Sequence, residues 1–322
     1  MKFNFFHEML YILNVSRAAT STSTAIGNFQ FFKRIYFILL LYPHLKRLHY
    51  WRNKDKHPYL SAEIVNNRLI YNSLYRTYIS KKWSLKDKMD VIEVHYCATN
   101  EIAKFLYVQQ NSYIDLIQLG AVHGDVRIVV DSPYWMRNEG EVTISLFYND
   151  IRLHWLTFSI GLVDKNYVFI VGALQGWAGT LGAEGESIKK INVELSKKLH
   201  QLHPRIFLFY CMKMIARSID VHKILGVSKE NHRTKVWHNF LSRDLVKSYN
   251  KFWQDHGGSL NNQGFFVISS DKSYKSIEDV PTKKRLLYKK RYQLLDVVEQ
   301  QLFTNIRENK FQTNCHEQIS PH

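Results

Sequence analysis

The chain of 322 residues predicts an α/β protein of the α+β kind: an antiparallel-rich mixed sheet with flanking helices, preceded by a basic helical amino-terminal region. Three observations carry this expectation. Five short β-rich runs follow one another between residues 113 and 174, separated by turn-forming clusters. Beyond them helical and strand-like stretches alternate to the carboxyl end. Before them, apolar residues recur at helical spacing. Hydrophobic residues at 45% and charged residues at 22% exclude global disorder, and fourteen glycines with six prolines exclude collagen-like or linker-dominated chains.

Residues 1–90 read as helical, with Ile64, Val65, Leu69, Ile70, Leu74 and Tyr75 on one face. The start lacks a signal-peptide pattern, because His7 and Glu8 interrupt the apolar run and Arg17 adjoins the small residues Ala18-Ala19-Thr20. Ile35–Tyr42 is an apolar run stopped by Pro43, far short of the ~20 residues that span a bilayer. Lys46, Arg47, Tyr50, Trp51, Arg52, Lys54 and Lys56 follow it. That arrangement suits either a core helix with a solvated basic end or a helix lying on an anionic membrane surface, and both readings stay open.

Strands are expected at Tyr113–Leu119, Val126–Val130, Glu141–Phe147, Ile151–Ile160 and Tyr167–Leu174, with turns at His123-Gly124-Asp125, Asn138-Glu139-Gly140, Asn149-Asp150 and Asp164-Lys165-Asn166. The last run is nearly all apolar, as a central strand buried on both faces should be. Helices follow at 185–200 and 204–218, a strand at 221–228, a helix at about 233–255 stopped by Gly257-Gly258, a strand at 264–268 and a basic helix at 281–308. The expected division is 1–90 basic helical region, 91–280 α/β core and 281–322 basic helical tail.

The formal net charge of +16 is unevenly spread: residues 1–90 hold 15 Lys/Arg against 5 Asp/Glu, whereas residues 91–175 hold 5 against 9. Basic flanks around an acidic middle suit polyanionic partners, whether lipid, nucleic acid or a phosphorylated cofactor. Cys97, Cys211 and Cys315 are odd in number and widely spaced, which favours a reducing compartment. A cytoplasmic location, peripheral at most to a membrane surface, is the expectation.

Gln175-Gly176-Trp177-Ala178-Gly179-Thr180-Leu181-Gly182 follows a strand and opens a helix, so its amides can face an anion. It lacks the Lys-[Ser/Thr] of a P-loop and the spacing of G-x-G-x-x-G. It resembles the diphosphate-binding turn of the GCN5-related N-acetyltransferases, departing from that spacing by a residue or more, and Glu184 and Glu186 follow it closely. This resemblance implies an acyltransferase-like core with Gln175, Gly176, Gly179 and Gly182 around an acyl-CoA or aminoacyl donor. Glu139 and Glu141 are then candidate bases, Glu141 being preferred, and Tyr249 the candidate acid. The competing reading makes Glu139-Gly140-Glu141 an exposed hairpin turn and packs Tyr249 beside Phe252 and Trp253. Fifteen histidines include no H-E-x-x-H and no Cys/His quartet, so no metal site is expected.

Seven segments carry a family resemblance. They are Asn138-Glu139-Gly140-Glu141, Leu156-Thr157-Phe158-Ser159, Gly172–Gly176, His203-Pro204-Arg205, Ile224–Ser228 with His232, Tyr249–Trp253 with Gly257-Gly258, and Lys290–Asp296. In this order they resemble the VirK/YbjX family of Gram-negative bacteria, closest to its virulence-plasmid branch. The resemblance implies a virulence-associated accessory role in the cell envelope, tolerance of antimicrobial peptides, or production and surface display of a secreted or outer-membrane virulence protein. It carries over no catalytic residue. A chaperone-like binding factor for an exported protein is the alternative, and an RNA-binding regulator, resting on net charge alone, is less favoured.

Overall fold

The computed structural model describes residues 13–16, 28–66, 70–120, 125–176, 183–233, 248–311 and 313–315, with backbone alone at 28–34, 183–186, 313 and 315. After a helical stretch at 13–16, the described residues form α1 (Asn28–Leu41), α2 (Leu45–Trp51), α3 (Pro58–Asn66), α4 (Ile70–Tyr75) and α5 (Leu85–Glu101). α5 begins at Ser84, whose side chain accepts from the Asp87 N–H while the Asp87 carboxylate accepts from the Ser84 N–H. This reciprocal cap satisfies two amides that the first turn would otherwise leave open.

Strands β1 (Ser112–Leu119), β2 (Val126–Asp131), β3 (Val142–Tyr148), β4 (Ile151–Val163) and β5 (Asn166–Gly176) form the expected antiparallel meander. Its two tight turns are built on Asn149-Asp150 and Asp164-Lys165, all four at positive φ, as two-residue turns matching strand twist require. Helices α6 (Ala183–Lys198) and α7 (Pro204–Ser218) then cross to β6 (Lys223–Val227), which lies parallel to β5. After α8 (Tyr249–Asp255), strands β7 (Ser259–Leu260) and β8 (Phe265–Ser269) close that side, and α9 (Thr282–Arg307) and β9 (Thr313–Cys315) follow. The described strands make one nine-stranded sheet in the order β7-β8-β6-β5-β4-β3-β2-β1-β9. Every neighbouring pair is antiparallel except β5–β6. The mixed, antiparallel-rich α/β class expected from the sequence is the one observed.

Several details differ from the expectation. The Asn138-Glu139-Gly140 segment is no exposed turn: a 3-10 helix, Tyr134–Glu139, lies over the sheet, and Glu139 and Glu141 are 3% and 4% exposed. Two glycines allow this approach. A Cβ on Gly140, at φ 151°, would lie 2.6 Å from the Phe158 carbonyl, and one on Gly172 would lie 2.0 Å from the Glu139 oxygen. The short strands β7 and β9 carry too little pattern to be read from sequence. Of the helix expected at 233–255, residues 234–247 lie outside the described residues.

Residue 90, the expected end of the amino-terminal region, falls inside α5, and residues from all three expected segments meet in one hydrophobic core. Leu48, Trp51 and Leu60 enter it from the start of the chain, and Leu294, Leu295, Val298 and Leu302 from α9. α9 is thus a packed helix on the sheet face that α7 covers. Leu156, Phe158, Ile160, Val168, Ile170 and Leu174, expected in the core, are all 5% exposed or less.

Phe158 is fully buried with its ring centroid 4.5 Å from that of Phe169. Truncation to Ala should cost ~3–5 kcal/mol, read as a lower urea midpoint. An unchanged midpoint would show that this stack contributes nothing to the core.

Candidate functional site

The parallel β5–β6 ladder ends at Val171↔Gly226, but β5 continues to Gly176 with β4 alone beside it. The sheet therefore opens at the carboxyl ends of these two strands, the place where open α/β sheets offer a crevice. Side chains take over the hydrogen bonds a neighbouring strand would have made. The Leu174 N–H donates to the Tyr249 hydroxyl at 3.0 Å, and the Leu174 carbonyl accepts from Arg205 at 3.3 Å. On the other lip, the Trp253 indole donates to the Val227 carbonyl at 3.0 Å, with its ring against Gly226.

Sequence-distant groups converge on this opening. Glu139, the last residue of the 3-10 helix, accepts from Gln175 Nε2 at 3.2 and 3.4 Å and from Arg233 Nε at 3.2 Å. Burial pushes its carboxyl pKa up, and Arg233 and Gln175 oppose that shift. Tyr249 is fully buried at the start of α8, and burial, reinforced by the Glu139 charge, raises its pKa, so the hydroxyl keeps its proton at neutral pH. The His232 ring meets Tyr249 edge-on at 5.3 Å. Arg205 enters from α7, where Pro204 occupies the first turn and His203 caps the Arg205 N–H at 3.1 Å. Its guanidinium lies over Phe252 at 4.6 Å, a cation–π contact, and donates to Ser248 Oγ at 3.2 Å. His154 sits opposite Gly176, shares a hydrogen bond of 2.8 Å with Asn192, and is held down to about 4 by burial.

Glu141 belongs elsewhere. Its Oε2 accepts from Arg137 at 2.8 Å and from the Tyr96 hydroxyl at 2.9 Å, and Arg137 reaches Glu63 at 2.6 Å. The Glu141 N–H donates to Ser159 Oγ at 3.1 Å, and that hydroxyl shares a hydrogen bond of 2.7 Å with Tyr78. This network lies between the amino-terminal helices and the sheet, and burial raises the Glu141 pKa against the opposing Arg137 charge. The two candidate bases thus separate: Glu139 faces Tyr249 and Gln175, while Glu141 is enclosed with Arg137. Gln175 and Gly176 are at the opening, whereas Gly179 and Gly182 lie outside the described residues. Arg205, Arg233 and His154 join the site unanticipated by the loop motif. His203-Pro204-Arg205 and His232 were the available signal, since neither motif serves a strand or a helix interior. Among the described residues no His/Cys/Asp/Glu group could hold a metal, and no helix is long and apolar enough to cross a membrane.

A family model described as a protein of unknown function, DUF535, matches residues 28–304. The chain is 25% identical over 268 residues to the Escherichia coli K12 protein YbjX, covering 80% of this chain and 78% of that one. Two Haemophilus influenzae Rd proteins also match. One is 22% identical, covering 70% of this chain and 73% of its own length, and the other is 26% identical, covering 38% and 41%. No solved structure matches.

Two measurements test this electrostatic arrangement. Arg137→Leu strands two buried carboxylates and should cost ~3–5 kcal/mol; a loss below ~1 kcal/mol would show the network to be dispensable. His95, buried with Nδ1 accepting from the Ile160 N–H at 3.2 Å, is held down to about 3 by burial. Its folded pKa lies below the unfolded value of 6.5, so its contribution is present above about pH 6.5 and lost as pH falls toward 3. His95→Gln, which can still accept that N–H, should lessen the acid loss of stability by roughly 4–5 kcal/mol as pH approaches 3. Parallel pH curves for both proteins would contradict the buried neutral ring.

Proposed function

Starting from the chain's membership of the DUF535 family, we propose that it transfers an acyl or aminoacyl group to a component of the bacterial cell envelope. The observation that carries this reading is the opened β5–β6 pair, with a buried carboxylate and a buried tyrosine converging on the free edge of β5. The strand order supports it further. A meander, one parallel step through helices and a returning hairpin follow the order of elements in GCN5-related acyltransferases, an analogy of fold that does not by itself assign chemistry.

In this reading an amide-bearing arm of the donor adds to the free edge of β5, displacing the side chains that now bond Leu174. Its anionic end lies toward Gln175 and Gly176 at the end of β5. An acceptor amine attacks the donor carbonyl carbon, Glu139 takes the amine proton, and Tyr249 protonates the departing sulfur or oxygen. Glu139 replaces Glu141 as base because it is the carboxylate that shares Gln175 and the Tyr249 field. A raised carboxyl pKa suits a base and a retained phenolic proton suits an acid. The virulence-associated accessory role implied by the VirK/YbjX resemblance belongs to the same proposal, with an envelope component as acceptor.

Thermal-shift measurements with acyl-CoA species test it. Ligand binding should raise the unfolding free energy by RT ln(1 + [L]/Kd), ~2.7 kcal/mol at a hundredfold excess over Kd, and the melting temperature with it. Gly179→Val should abolish the shift. Tyr249→Phe should keep it and slow thioester cleavage by ~10²–10⁴. Absence of any shift at millimolar ligand would remove acyl-CoA as donor and favour a non-catalytic binding factor for an exported protein.

A further inference from the structure

Helix α1 is apolar on two sides. Phe37 and Leu41, at 3% and 0% exposure, turn one side into the core. The other side carries Ile35, Tyr36, Leu39 and Leu40 at 39, 65, 65 and 40% exposure, and Tyr42 follows at 57%. The spacing i, i+1, i+4, i+5 makes these four one continuous helix face. Scattered exposed apolar residues are ordinary, but a contiguous row on a helix whose opposite side is already buried marks a contact surface.

The residues next to it identify the occupant. Lys46, Arg52, Lys54 and Lys56 are all exposed, with Asp55 the one carboxylate between Lys46 and Lys56. Arg47, by contrast, is turned inward to Asp90 and Glu93 at 2.6 Å each. Tyr36, Tyr42 and Tyr50 are exposed tyrosines, with an apolar ring and a polar tip suited to a water–lipid boundary. An uncharged apolar protein partner would leave the cations without use, and a nucleic acid would leave the leucines without use. A bilayer with anionic headgroups meets both. We infer that this face of α1, with the cations that follow it, rests on an anionic lipid surface and holds the protein there without crossing it. This goes beyond the transfer reading and does not rest on it.

Co-sedimentation of the full chain with vesicles tests the inference. Vesicles of phosphatidylcholine and phosphatidylglycerol in equal parts should carry the protein down at low salt, and high salt should release it. Vesicles of phosphatidylcholine alone should not. Leu39→Glu should abolish sedimentation, and Lys54→Ala with Lys56→Ala should weaken it by about tenfold or more. Both variants change exposed positions and should melt with the wild type. No sedimentation with the anionic vesicles, equal sedimentation with both kinds, or indifference to Leu39→Glu would overturn the inference. A dimer in solution that Leu39→Glu dissociates would overturn it too, by making the face a contact between copies. A melting temperature lowered by Leu39→Glu would do so by showing the face covered by residues of the same chain. None of these outcomes depends on coenzyme A, so the two proposals fail separately.

Discussion

One buried guanidinium organises this molecule. Arg137 stands between Glu63 of α3 and Glu141 at the edge of β3, with the Tyr96 hydroxyl of α5 beside it. A charge at 4% exposure survives only if its partners are fixed in place, so Arg137 requires α3, α5 and the sheet to keep one mutual arrangement. It lies two residues before Glu139, in the same 3-10 helix. Anchoring Arg137 on one side therefore sets the position of Glu139 on the other. Gly140 and Gly172 let this helix approach the strands closely enough for both residues to reach their partners.

The opening between β5 and β6 illustrates a second constraint. A strand that outruns its neighbour leaves backbone groups unpaired, and buried ones must be satisfied. Tyr249, Arg205 and Trp253 meet that need with side chains that are anchored from α7 and α8. Side-chain hydrogen bonds can be exchanged for those of an incoming ligand more readily than a full strand ladder can. The same groups also bring a carboxylate, two guanidinium groups and imidazole rings into a confined space, where burial moves the pKa values of Glu139, Tyr249 and His232 away from their ordinary values.

Charge is divided between inside and outside on related grounds. The acidic residues of the middle segment are largely consumed internally: Asp131 by Arg152, Glu141 by Arg137, and Asp115, Asp125 and Asp150 around Arg127. In the amino-terminal segment Lys46, Lys54 and Lys56 instead stay exposed, in the stretch that follows α1.

The sequence by itself determined the elements whose physics is local. Alternating β-branched runs and Asn149-Asp150 or Asp164-Lys165 turns set the meander, because side-chain alternation and turn torsions act over a few residues. Pro204 after His203 and the Gly257-Gly258 stop set helix ends in the same way. The sequence also marked Gln175, Tyr249 and the Glu139/Glu141 pair, with Glu141 preferred, through an unusual glycine pattern and an analogy of order. Only the tertiary structure decided which glutamate joins which cluster. Glu139 and Glu141 flank one glycine, and nothing local distinguishes them; Arg137 and Tyr96 claim one, and Gln175 and Arg233 the other. Arg233 lies 94 residues from Glu139, a separation beyond any local pattern. The strands β7 and β9, two and three residues long, are likewise products of the sheet edges they complete, since so short a segment has no period to read.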